Sequence, residues 1–172
     1  PEYVLTMILT TTLTIDSDYV RDIRKERFST PILLLLLKIV PAKSEMKMLL
    51  KKSKGFLECE SEENRKYGQG FYETVASDLN YKKRFIHSFK CVYMLKDYPY
   101  FKESDFEYLR GKIQVLIPEK DIFKKEDQKR LADLFEKLDA EILNVPGGHV
   151  GFIVQSQYYI DLMEKFLDKT LI

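Results

Sequence analysis

Two side chains stand where chemistry is commonly placed: His149, in Val145-Pro146-Gly147-Gly148-His149-Val150-Gly151-Phe152, and Asp121. Ala140 to Val145 alternates like a strand and breaks into a Pro-Gly-Gly turn with the histidine at its tip. Ile113 to Ile117 is a short apolar strand that leads to Asp121, and a helical pattern fills the gap between the two. The C-terminal ends of strands are where open α/β sheets carry their sites. An imidazole with an unperturbed pKa of about 6.5 takes and returns a proton near neutrality. A carboxylate beside it holds the tautomer and stabilises the imidazolium. This order therefore supplies the last two members of a Ser-His-Asp system, with no matching nucleophile in the chain. The plainer readings are a loop histidine held by backbone bonds and a turn aspartate ahead of Lys124-Lys125. Glu119 is an alternative acid. His87 has no acidic residue at a telling spacing and reads as a surface histidine.

The elements that position these residues are α/β in texture. Tyr3 to Leu9 is nearly continuous in apolar residues and reads as a strand buried on both faces of a parallel sheet. From Asp16 to Arg110 the pattern is helical. Val20, Ile23 and Phe28 share a face, and Pro31 opens a Leu-rich helix that Pro41 closes. Ile32 to Val40 is nine residues long and contains Lys38, whereas a membrane span needs about 20 apolar residues, so a buried helix is expected. Lys54 to Lys66 is polar and reads as a loop. Lys125 to Leu138 is amphipathic, and Ser156 caps a final helix. Strands joined by helices predict a parallel α/β sheet, with 1–15 and 111–172 as its core and 16–110 as a helical insertion.

Bulk composition narrows the classes. The 172 residues carry 28 basic and 27 acidic side chains, a net charge of +1, which makes no case for nucleic acid or an anionic membrane. Two separated cysteines, Cys59 and Cys91, suit a reduced, cytoplasmic setting. No metal cluster, phosphate-cradling loop or dinucleotide fingerprint is present, so no cofactor is expected.

On "VLIPEKD" (Val115 to Asp121) and "NVPGGHVGF" (Asn144 to Phe152) the chain resembles the α/β-hydrolase superfamily. The former stretch is similar to the strand-seven element that ends in the triad acid, with Pro118 where the family usually has Gly. The latter is similar to the loop that carries the triad histidine. By the same resemblance Tyr3 to Leu9 is strand six, 16–110 is the helical cap, and Asp16 is a further alternative for the acid. The Leu33 to Leu37 run then either belongs to the core or lines an acyl pocket. The family's order of nucleophile, acid and histidine places the Gly-x-Ser-x-Gly elbow and the oxyanion donors upstream of Pro1. The resemblance implies the C-terminal portion of a serine-type, esterase- or lipase-like hydrolase. It would act on an ester or related acyl bond of a small, partly apolar substrate. Two alternatives stand beside it: an epoxide hydrolase or dehalogenase-like member with an upstream Asp nucleophile, and a non-catalytic helical interaction module.

The start at Pro1, almost directly in a strand, implies a fragment. An unpaired parallel edge beside Val4, Leu5, Ile8 and Leu9 invites aggregation unless an N-terminal half or a homodimer covers it. The 172 residues alone are expected to give no turnover of a short-chain aryl ester. Turnover that disappears in His149→Ala would place the nucleophile inside the chain.

Overall fold

The structure, a computed structural model of the chain, describes residues 4–10, 29–78, 80–94, 101–121 and 123–171. The chain divides into two compact units. One comprises Pro1–Thr14, Phe56–Gly68 and Phe101–Ile172, the other Ile15–Gly55 and Gln69–Tyr100.

The first unit is mixed α/β and holds a parallel sheet in the order β1 (Met7–Thr10), β2 (Ile113–Lys120) and β3 (Glu141–Gly148). The three strands are adjacent, parallel and in chain order, as their apolar texture and helical connections predict. β2 is central, and its first six residues are buried. Alternate side chains of a strand point to opposite faces. Ile113, Val115 and Ile117 pack with Leu131, Phe135 and Leu138, which are contributed by α5 (Lys125–Glu136) and the turn that follows it. Leu116 packs the other way, with Val145 and with Tyr159 of α7 (Ser156–Thr170). Covering both faces is what permits β2 to be apolar without alternation. The polar exception, Gln114, is buried; its Nε2 donates to Glu141 Oε1 at 3.0 Å and to the Leu162 carbonyl at 3.4 Å.

α5 ends in a left-handed residue, Asp139 (φ 55°), tolerated there because a short polar side chain suits that conformation. Its N–H bonds the Glu136 carbonyl while the Ala140 N–H bonds the Phe135 carbonyl, the paired ending of a Schellman motif. The chain then enters β3.

Several expectations are corrected. β1 is shorter than Tyr3 to Leu9 and only half-buried, and Val4 and Leu5 before it are exposed; β1 is at the edge of the described sheet. Lys54 to Lys66 is not a loop. Helix α2 (Ala42–Phe56) runs into it, and α3 (Glu62–Ala76) starts within it after a tight turn. Ser61 Oγ accepts the Asn64 N–H, and Glu62 and Glu63 sit in the first turn, where negative charge is favourable. Those capping signals outweigh the polar composition. Ser156 is the first residue of α7 rather than its cap, which is Gln155. Phe101 to Arg110, expected in the insertion, belongs to the sheet unit; Leu109 is buried in its core and Phe106 packs on Phe135 at 5.2 Å.

The second unit is helical among its described residues: α1 (Ser29–Ile39), most of α2 and α3, and α4 (Tyr81–Met94). Lys82 Nζ donates to the Lys38 carbonyl at 2.9 Å and to the Val40 carbonyl, which satisfies the C-terminal end of α1. α1 is a helix as expected, but not a buried one. Leu37 is buried, whereas Ile32, Leu35, Leu36 and Ile39 are exposed. A helix that is apolar all round can bury only the stripe that meets a neighbour. The Val20, Ile23 and Phe28 helix lies outside the described residues.

Phe135→Ala is expected to destabilise the sheet unit by about 3–5 kcal/mol, because it empties the centre of the larger core cluster. Tyr108→Ala, at an exposed ring, is expected to stay within about 0.5 kcal/mol. Denaturant midpoints of the two variants would check the contrast.

Candidate active site

Asp121 and His149 follow the C-terminal ends of adjacent parallel strands, so the two loops leave the same edge of the sheet. The pairing is not uniform. Pro118 opposes Val145, but Lys120 opposes Gly148, so β3 carries one residue more than β2 between those pairs. This is a β-bulge, and it contains Pro146 and Gly147. Proline is admissible there because a bulge or edge does not require its missing N–H. Gly147 has φ 90°, a conformation in which a side chain would be strained. The expected Pro-Gly-Gly turn is therefore the bulged end of β3, and the turn proper is at His149-Val150.

Past the bulge, His149 Nδ1 lies 2.8 Å from Asp121 Oδ1 across a sequence separation of 28 residues. The Asp121 side chain is 1% exposed and the imidazole 27%. With the carboxylate ionised, Nδ1–H donates and Nε2 is left as the basic nitrogen. Among the described residues Nε2 has no hydrogen-bond partner. Asp121 Oδ1 also accepts the Phe123 N–H at 3.3 Å, an Asx-type contact that keeps the carboxylate turned toward the loop. Two aromatic rings limit the imidazole: Phe123 edge-on at 5.1 Å and Phe56 tilted at 6.3 Å. Such walls lower the local dielectric and so strengthen the Asp–His attraction.

The sequence places both residues at this edge, and the structure brings them into contact. Glu119 is exposed, and its carbonyl accepts from Lys125 Nζ at 2.8 Å. Asp16 lies outside the described residues. His87 is exposed on α4, its Nε2 3.6 Å from Cys91 Sγ. Pro118 is fully buried, two residues beyond Leu116, the last partner of β1, and its carbonyl accepts from Gln128 Nε2 at 3.3 Å.

A contributor that sequence reasoning missed is the turn between α2 and α3. Glu60 is 6% exposed. Its Oε1 accepts the Gly148 N–H at 2.9 Å, and its Oε2 accepts Gln155 Nε2 at 2.7 Å. Leu57, one turn earlier, is fully buried and anchors the segment. Gly148 is an enforced glycine: a Cβ there would lie 2.7 Å from Cys59 Sγ and 3.2 Å from the Phe56 carbonyl oxygen. With Glu60 and Gly148 separated by 88 residues, no local pattern could pair them. Burial, and then the charge of Glu60, push the Cys59 thiol up, so it stays protonated at neutral pH and is not an activated nucleophile. Burial also raises the Tyr159 phenol, with the Glu60 and Asp121 charges adding to it.

Among the described residues no three His, Cys, Asp or Glu side chains are grouped to hold a metal, and no helix is long and apolar enough to cross a membrane. Comparison of the chain with protein-family models, characterised proteins and solved structures returned no match.

Gly148→Ala is expected to cost about 1–3 kcal/mol, since backbone and a thiol block the added methyl. Gly70→Ala, in α3 with nothing within 4 Å, is expected to stabilise by about 0.5–1 kcal/mol. Urea denaturation of both would test whether the crowding at β3 is specific.

Proposed function

We propose that these residues form the acid–histidine portion of a serine-type hydrolase of the α/β-hydrolase kind, one that cleaves an ester or related acyl bond. The observation that carries this reading is the 2.8 Å contact between His149 Nδ1 and a buried Asp121 carboxylate, beyond two adjacent parallel strands. Asp121 holds the proton on Nδ1 and balances the imidazolium as it forms. His149 Nε2 takes the nucleophile's proton in acylation and returns it to the leaving group. In the second half-reaction it activates the water that releases the acyl group. No Gly-x-Ser-x-Gly elbow occurs in the 172 residues, so the nucleophile and the oxyanion donors come from residues beyond them. The substrate is a small, partly apolar acyl compound, in keeping with the aromatic rings around the imidazole.

The test uses the protein in which these residues accompany that nucleophile. His149→Ala is expected to lower kcat on an activated ester by several orders of magnitude, because triad members act as a unit. Asp121→Asn is expected to cost on the order of 10⁴-fold through loss of the correct tautomer. Near-normal turnover in His149→Ala would sink the proposal.

A further inference from the structure

We propose that Glu60 is a positioning residue for His149, a buried carboxylate that clamps both ends of the loop carrying the histidine. The clamp has two bonds. Oε1 accepts the N–H of Gly148, the residue directly before His149, at 2.9 Å. Oε2 accepts the side-chain amide of Gln155, the residue directly before α7, at 2.7 Å. Everything between those anchors is the turn His149-Val150 and the four-residue helix α6 (Gly151–Val154). One side chain thus fixes the entry and the exit of the segment that aims the imidazole.

The residue type is set by the partners. Both anchors present an N–H, and a carboxylate meets each with an oxygen as they stand, whereas a glutamine would serve both only after the Gln155 amide turned its own oxygen inward. Hydrogen bonds to an ionised acceptor are also shorter and roughly twice as strong as neutral ones. A buried carboxylate is costly in the absence of such partners, and here both oxygens of Glu60 are met by them. Close packing makes the clamp rigid. A Cβ at Gly147 would lie 2.6 Å from Glu60 Oε1 and 2.5 Å from Gln155 Nε2, which leaves the bulge no room to move toward either group. Asp121 orients the ring from one side, and Glu60 holds the backbone on which that ring is mounted.

This inference rests on the proposed role of His149, but its readout is magnetic resonance on the full chain rather than turnover. The chain has two histidines, so a His87→Gln background leaves His149 as the sole imidazole signal. In that background the Nδ1 proton shared with Asp121 is expected as a slowly exchanging downfield resonance, with ring nitrogens of a single tautomer. Glu60→Ala is expected to lose the proton signal and average the two nitrogens. Glu60→Gln is expected to keep both features, because rotation of the Gln155 amide restores two bonds. Gln155→Ala, which removes one anchor, is expected to broaden the proton signal. A folded Glu60→Ala with unchanged His149 resonances would overturn the clamp. If that variant does not fold, an unchanged spectrum in Gln155→Ala would overturn it equally. Loss of the signal in Glu60→Gln as complete as in Glu60→Ala would refute the two-bond account. Near-normal ester turnover by His149→Ala in the protein that carries the nucleophile, alongside the expected spectra, would remove the proposed reaction and leave the clamp standing.

Discussion

The parallel pairing of β2 with β3 is the constraint on which the rest of the sheet unit depends. Parallel neighbours end on the same side, so whatever follows them is delivered to one edge. The pairing also requires a covered crossover, which α5 supplies, and it leaves both faces of β2 to be buried. The extra residue in β3 changes where that edge lies. A strand of uniform register would end its pairing without the offset between Pro118 and Lys120. The bulge at Pro146-Gly147 lengthens β3 by one residue just before the histidine and increases the local twist. The imidazole then meets a carboxylate that sits directly after the neighbouring strand.

Buried charge at this edge is matched by donors. Asp121 and Glu60 are both nearly inaccessible, and each takes hydrogen bonds from the same loop region: Asp121 from the ring of His149, Glu60 from the peptide N–H before it. A carboxylate so placed is tolerated because its lone pairs are met. The arrangement is unforgiving. A side chain at Gly147 would be strained by its φ, and a Cβ at Gly148 would press on Cys59 and the Phe56 carbonyl. Two successive glycines, which in a sequence suggest freedom, here mark closely confined backbone.

What was legible followed from local pattern. The β2 run is apolar without alternation because both its faces are covered, and the α5 pattern shows at helical spacing because only one stripe of it is buried. The strand-end positions of Asp121 and His149 were legible for the same reason: a polar residue directly after a strand is placed by the strand. Illegible were the features that depend on competition or distance. The turn and the α3 start within Lys54 to Lys66 turn on Ser61 as a cap, a single hydrogen bond that composition obscures. The exposure of Leu35 and Leu36 depends on how many neighbours α1 acquires, and residue type does not encode that count.

The chain by itself determined the α/β character of the sheet unit, the order of its strands, and the two side chains that face one another across the β2 and β3 ends. Those are consequences of periodicity and chain direction, which act over a few residues. Tertiary structure alone decided the bulge that sets the reach of His149, the burial of Asp121, and the arrival of Glu60 beneath the Gly148 peptide. Each of these is a contact between segments far apart in sequence. Its free energy exists only once both are packed, so no local pattern carries it.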